Sequence, residues 1–332
     1  MKKEYIALYK KLLFNLPQTT PALKTYAIVD SIRDERIKEK ILFSNLNHTD
    51  LWHEELFENE QEVPLYLIEL EKENELLDHL LTQHKESIAT YFISPYDIET
   101  LKCYYSVFTH VNIEVEADNF QKAIFGFYDP NILPNYIQTL YNQEKIDEFF
   151  AGVAIWLSPS IEKEGELYLA FRSKAGHIDD VSLQLEPLLE EEHPMLNFED
   201  VSLPTLANLK EYAHEIYIDQ KQLAVFEEME KRRFCYQILG MLDKKNKLYA
   251  SKEELMPKAC QGFDKAIELG LKTESTQGRF IWLWLYIKEN YLDRYENVFT
   301  QIKHSRSEYE KEEIIEMILT KMQLLEEENN EV

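Results

Sequence analysis

Glycine is scarce in this 332-residue chain, with only eight residues where about 7% is usual. Phosphate-cradling loops need glycine for positive φ and for close backbone approach. None of the patterns GxxxxGK(S/T), GxGxxG or GxSxG occurs, so nucleotide binding and α/β-hydrolase chemistry lack their usual loops. Cysteine is scarcer still. Cys103, Cys235 and Cys260 are an odd number with no CxxC spacing, which argues against a disulfide framework and for reduced core thiols. Positive charge is in deficit: 36 Lys and Arg against 61 Asp and Glu leave a net charge of −25. That balance disfavours nucleic acid and anionic lipid as partners. No run of 18 apolar residues is present, so no membrane insertion is expected. Glu4 and Lys10-Lys11 interrupt the apolar stretch that a signal peptide would need, and the expected location is cytoplasmic.

Aromatic side chains are plentiful. Twenty Tyr, 17 Phe and 4 Trp carry large buried areas in cores and at protein interfaces alike.

The first half alternates strand-like and helix-like segments. After an amphipathic helix (Tyr5, Leu8, Leu12, Leu13), Tyr26-Ala27-Ile28-Val29 reads as a buried strand. Ser31, three residues before Asp34, approximates a capping box for a helix through Ile32, Ile37, Ile41 and Leu42. Val63 to Leu70 precedes a helix through Leu76, Leu77, Leu80 and Leu81. Ile88 to Ile93 forms a strand leading into Ser94-Pro95-Tyr96-Asp97, a helix start with proline at its first position. That helix buries Ile98, Leu101, Tyr105 and Phe108, with Cys103 as a core thiol. Ile113 to Glu116 and Ala123 to Tyr128 read as a hairpin around Asp118-Asn119, and Val153 to Leu157 as a further strand.

Beyond about residue 160 the texture changes. Glu166 to Phe171 and Ile178 to Leu185 read as a second hairpin, and the proline-rich, acidic 186–204 as a linker. Helices are expected at 205–217, 220–242, 253–269, 274–290 and 308–327, with Gly270 as a C-cap and Thr273 as an N-cap. The expected fold is an α/β domain, a mixed sheet flanked by helices, followed by a mostly α-helical domain. The boundaries are 1–160 for the α/β domain, 161–204 for hairpin and linker, and 205–328 for the helical domain.

No catalytic, cofactor or metal residues stand out. His53-Glu54-Glu55 and His214-Glu215 begin like zinc-protease motifs but lack the second histidine four residues on. The densest local signal is Phe125-Gly126-Phe127-Tyr128-Asp129-Pro130. Phe125 and Phe127 share one strand face, Asp129 can cap the following turn, and Pro130 is preset for helical φ. Pro134 admits a second version, a short turn followed by a helix only from Pro134. A stiff strand-to-helix corner accounts for these residues, and a binding surface beside it is the functional alternative. The apolar stretch Phe280 to Ile287 reads as a central buried helix, with Trp282 and Trp284 available to line a groove.

These residues carry a resemblance. Tyr26 to Asp34, Leu56-Phe57 with Val63 to Leu70, Phe125 to Leu133, and Phe149 to Val153 with Trp156 occur in order. Over residues 23–158 they resemble the type VI secretion effector adaptors, the Tap or TEC chaperones. Phe226 to Phe234 and Ala266 to Leu271 resemble the helical extension of that family. Gly126 and Asn131 stand where arginines are usual there. The resemblance implies a non-enzymatic protein that holds a cognate effector and delivers it to the VgrG spike, one lobe for each partner. Tyr26, Asp30, Phe125, Phe127, Tyr128, Asp129, Pro130 and Trp156 are the residues carried over, in structural or interface roles. Two rival readings remain open at this stage. One is an immunity protein that binds a basic toxin through acidic surface; the other is a hydrolase using scattered carboxylates and histidines in a cleft.

Overall fold

The computed structural model describes residues 2–19, 22–32, 34, 36–52, 65–83, 88–116, 119–160, 165–186, 200–204, 215–245, 247–287 and 292–330. Leu56-Phe57, His53-Glu54-Glu55, His214, residues 187–199 of the expected linker and residues 205–214 of an expected helix lie outside them. The chain divides into two compact units, Met1–Phe226 and Glu227–Val332.

The first unit opens with α1 (Lys3–Thr19), β1 (Lys24–Asp30), α2 (Ile37–Phe43), β2 (His48–Asp50), β3 (Leu65–Glu69), α3 (Glu75–Thr82), β4 (Ala89–Ser94) and α4 (Ile98–Tyr105). It continues with β5 (His110–Glu116), β6 (Asn119–Ile124), α5 (Leu133–Gln138), α6 (Gln143–Phe150), β7 (Ile155–Pro159), β8 (Glu166–Arg172), β9 (Ile178–Gln184) and β10 (Ile216–Ile218). Among the described residues seven strands form one sheet in the order β2-β3-β1-β4-β7-β8-β9. Helices pack over it, as the alternating pattern implies. Every neighbouring pair in this sheet is antiparallel. The reason lies in the connection: α3 carries the chain from β3 to β4 across β1, and β1 pairs with both. Parallel pairing is found in the small sheet β10-β5-β6, where β10 runs parallel to β5.

The central strands are covered on both faces, so β1 and β4 are continuous apolar runs rather than alternations. Ala27, Val29, Tyr91, Ile93, Ile155 and Leu157 face the layer of α1 and α3, where Leu76, Leu77, Leu80 and Leu81 are all buried. Tyr26, Ile28, Phe92, Trp156 and Tyr168 face the opposite layer, which holds α4 to α6 and the inner side of the small sheet.

Several local expectations are corrected. The hairpin of β8 and β9 is no separate connector, because β8 pairs with β7 from Ile155↔Phe171 to Pro159↔Leu167. The first unit therefore extends past residue 160 to Phe226. Helix α2 begins at Ile37, and Ser31 does not cap it. Asp34 accepts instead from the Arg36 amide at 3.0 Å and lies 3.0 Å from His79 Nε2. Asp97, not Ser94, caps α4 by accepting from the Thr100 amide at 2.8 Å. The Ser94 hydroxyl donates to the Gly152 carbonyl at 2.7 Å and accepts from the Tyr96 amide at 3.2 Å, ahead of the helix. Cys103 is exposed, since Ile98, Leu101, Tyr104 and Tyr105 occupy the core side of α4. The helix expected to run to Tyr217 gives way to β10, because Ile216 and Ile218 are buried beside β5.

The second unit contains most of α7 (Gln220–Lys244), then α8 (Lys252–Glu268), α9 (Glu274–Tyr286), α10 (Leu292–His304) and α11 (Glu308–Asn330). Helix α10 went unread in the sequence, although Tyr295, Val298, Phe299 and Ile302 carry helical spacing and pack against one cluster. Gly270 takes φ +71° and the Leu271 amide donates back to Ala266 at 3.0 Å, a left-handed C-cap. Thr273 caps α9 by accepting from the Thr276 amide at 3.2 Å.

Glu308 reinforces that junction. Its Oε1 accepts from the amides of Lys272 (2.6 Å) and Thr273 (3.2 Å) and from the Thr276 hydroxyl (2.7 Å). Burial pushes its carboxyl up, but the bonds from Thr276, Lys272 and Thr273 outweigh this and hold it below the ordinary value. A depressed folded value stabilises above the unfolded one, near pH 4.3, and the gain is lost as pH falls through the folded value. Glu308→Ala is expected to cost about 1 to 2 kcal/mol at pH 7. Urea unfolding should show the gap between variant and parent closing below about pH 4.

Candidate interaction surface

The residues carried over from the sequence motifs converge on the interior. Trp156 is fully buried, with its ring 5.0 Å from Phe92, 5.6 Å from Tyr105 and 5.2 Å from Phe149, nearly parallel to the last. Phe127 stacks on Tyr105 at 5.9 Å, and Tyr26 stacks on Phe92 at 5.3 Å while its hydroxyl donates to the Tyr96 carbonyl at 2.6 Å. Asp30 accepts from the Ile32 amide at 3.0 Å at the end of β1. These side chains are buried and hold the layers of the unit together.

The corner after β6 follows the second version drawn from Pro134. β6 stops at Ile124, so Phe125 and Phe127 are not on a strand face; turns follow, and α5 starts at Leu133. Both rings are still buried together, 6.4 Å apart, and Phe125 meets Tyr136 edge-on at 4.8 Å. Asp129 Oδ1 accepts from the backbone amide and the side-chain amide of Asn131, both at 2.8 Å. Pro130 is buried and Tyr128 half-buried, its carbonyl accepting from Thr90 Oγ1 at 2.6 Å. Asn131 thus serves Asp129 where the resembling family has arginine. Gly126 allows close approach, since a Cβ there would lie 3.2 Å from Ile132 Cδ1.

In the second unit Trp282 packs against two clusters, and Trp284 lies 6.1 Å from Phe280 and 5.9 Å from Phe299. A Cβ on Gly262 would stand 3.0 Å from three Trp284 atoms. Both tryptophans are half-buried and join neighbouring helices.

Two groups stand out among the outward-facing apolar residues of the first unit. At the end of α2, Phe43 is 81% exposed and borders a cavity of about 360 Å³ shared with Lys40, Ser44, Glu73 and Asn74. On the small sheet, Phe120, Ile124 and Tyr217 are 46%, 51% and 47% exposed. The ring of Tyr217 meets Phe120 edge-on at 5.3 Å. Glu215 fixes this face by accepting from Asn112 Nδ2 at 3.1 Å and the Tyr217 hydroxyl at 2.8 Å.

Asp219 anchors the start of α7 beneath it, accepting from the amides of Lys221 and Gln222 at 3.0 Å, from Lys145 Nζ at 3.0 Å and from the Tyr141 hydroxyl. Burial raises its carboxyl, but bonds from Tyr141, Gln222 and Lys145 win and hold it at about 2. Among the described residues no group of His, Cys, Asp or Glu is arranged to hold a metal ion, and no helix is long and apolar enough to cross a membrane.

With this geometry in place, the comparison with known families is specific. Residues 25–146 match the model of a domain of unknown function, DUF4123. No curated protein and no solved structure matches the chain. The DUF4123 span covers little more than a third of the chain and runs from β1 into α6. It includes the exposed Phe43 and the β5–β6 hairpin, while Trp156 and β10 lie beyond it.

Glu148, just past the DUF4123 span, is raised to about 7, first by burial and then by the Glu144 charge, with Lys145 opposing. The folded state therefore keeps a proton that the unfolded state releases, and stability falls as pH rises from about 4.3 to about 7. Glu148→Gln removes that penalty. It should stabilise by about 1 kcal/mol at pH 8, discounted for the carboxyl's contact with water, and by nothing at pH 4. Paired urea titrations at the two pH values read this out.

Proposed function

We propose that this protein is a non-enzymatic, cytoplasmic adaptor. It binds a specific type VI secretion effector and loads it onto the VgrG spike of a bacterial cell. The observation that carries the reading is the coincidence of the DUF4123 match over 25–146 with the ordered sequence motifs at 26–34, 63–70 and 125–133. Those motifs resemble the effector adaptors, and their aromatic residues build a packed core. A rigid core leaves the outward apolar residues to make contact, and Phe43 beside its cavity has the form of a protein-binding anchor. The net charge of −25 favours a polypeptide partner over nucleic acid or an anionic membrane.

The test is co-expression of the tagged full chain with each toxin and spike protein encoded beside it. One toxin and the spike are expected to be retained at 1:1. Phe43→Ser should weaken toxin retention about tenfold while leaving the melting temperature unchanged. No complex with any of them defeats the adaptor reading. Turnover of a small molecule by the purified chain defeats its non-enzymatic half. Protection of cells from the toxin would turn it into an immunity protein.

A further inference from the structure

We propose that β6 is an acceptor edge, to which an extended segment of the carried polypeptide adds as an antiparallel strand. The segment's outward residues would read apolar, acidic, apolar. The proposal rests on the adaptor reading for whose segment it is.

The register decides what the edge offers. β5 and β6 pair with His110↔Ile124, Val111↔Ala123, Asn112↔Lys122, Ile113↔Gln121 and Glu114↔Phe120. The Phe125 amide donates to the Thr109 carbonyl at 2.9 Å, which makes that pair a hydrogen-bonded one. Hydrogen-bonded and non-hydrogen-bonded pairs alternate along an antiparallel ladder. Ala123 and Gln121 therefore spend their backbone groups on β5. Phe120, Lys122 and Ile124 turn their N–H and C=O groups away from it. Among the described residues β6 is the edge of its sheet, and every side chain on it is exposed except the intermediate Ala123.

The same three residues share one face because side chains alternate along a strand. That face carries Phe120 and Ile124 on either side of Lys122, with Tyr217 against Phe120. An added strand would satisfy the outward backbone groups and lay its alternate side chains over these three, the usual division between affinity and specificity in strand addition. Lys122 has no carboxylate within ion-pair distance among the described residues. Its ammonium group selects an acidic residue opposite.

The central lysine also disfavours the symmetric pairing of a second copy of this chain about it. Antiparallel pairing of two β6 edges about Lys122 would set the two ammonium groups directly opposite each other, a destabilising like-charge pair. Charge complementarity to Lys122 therefore points to a different chain, one with a negative charge at the middle of its strand.

The first arm of the test uses the full chain and the capped peptide Thr-Ile-Thr-Glu-Thr-Phe-Thr, followed by fluorescence anisotropy and hydrogen exchange. Saturable binding is expected, with slowed exchange across 119–124. Replacing the peptide's Glu by Lys should weaken binding at least tenfold, and N-methylation of alternate peptide amides should abolish it. Lys122→Pro removes an N–H that points away from β5, so the hairpin keeps its bonds and its melting temperature while peptide binding is lost. Should that variant fail to fold, Lys122→Glu keeps the question open to measurement, because the preference must then reverse toward the Lys-centred peptide.

The second arm applies Lys122→Pro to the toxin complex of the adaptor test, where retention should fall at least tenfold. A toxin that binds parent and variant equally overturns the β6 proposal and leaves the adaptor reading standing. Absence of any toxin complex, with peptide binding intact, does the reverse. Peptide binding that ignores the central charge, or a concentration-dependent dimer abolished by Lys122→Pro, also overturns it.

Discussion

Trp156→Ala is expected to destabilise the first unit by about 3 to 5 kcal/mol, the range for truncating a large buried aromatic. The ring is sandwiched between the sheet and α6, with Phe149 nearly parallel to it at 5.2 Å and Phe92 beside it at 5.0 Å. Tyr105 and Phe127 close the remaining sides, at 5.6 Å and 6.4 Å. Those neighbours are held by the backbone of three elements and of the turn after β6, so the site cannot collapse onto the space left behind. The indole nitrogen has no hydrogen-bond partner among the described residues. The whole effect is therefore one of packing, and Trp156→Phe should cost only about 1 to 2 kcal/mol. Hydrogen exchange of the β4 and β7 amides reads this unit separately from the helical one. Equal losses for the two variants would show that Trp156 acts through its nitrogen instead.

Gly165→Val should cost about 2 to 5 kcal/mol, from two sources that can be separated. Gly165 sits at the entry to β8 with φ +85°, a conformation that a β-branched residue resists. A Cβ there would also stand 2.9 Å and 3.0 Å from Cε2 and Cζ of Tyr5, a buried residue of α1. Gly165→Ala in a Tyr5→Ala background removes the collision and leaves the backbone strain. The cycle should give a coupling of about 1 to 3 kcal/mol, read as the difference in urea midpoints. Additive losses would show that the turn alone demands glycine.

Local patterns carried much of the architecture. Leu76, Leu77, Leu80 and Leu81 predict α3 and its buried face because helical spacing leaves them no other arrangement. Gly270 and Thr273 mark the junction of α8 and α9 because cap chemistry is settled within a few residues. Where the deciding contact is distant, local patterns misled. Ile216-Tyr217 reads as the end of a helix, yet pairing of Ile216 to Ile218 with Val111 to Ile113, some hundred positions away, makes it a strand. Cys103 reads as a core thiol from its apolar neighbours, but the rotation of α4 against the sheet turns it outward.

The candidate surface follows the same division. Its residue types are visible as Phe43 and as the alternation Phe120, Lys122, Ile124. Their exposure is not, because an apolar side chain announces burial and only the neighbouring layers can deny it. Conversely, Tyr26, Phe127 and Trp156 belong to a recognisable motif, but nothing in one dimension separates a motif kept for packing from one kept for contact.

By itself, then, the chain's order of residues determined most of its element types, its acidic charge and the lack of glycine-rich phosphate-loop motifs. Each of these depends on neighbours within a few positions or on simple counting. Only the tertiary structure decided the antiparallel sheet, the inward fate of the motif aromatics and the place of β6 at the edge of its sheet among the described residues. Those outcomes depend on which distant segments cover which face, a competition of burial energies that is resolved only once the layers are assembled.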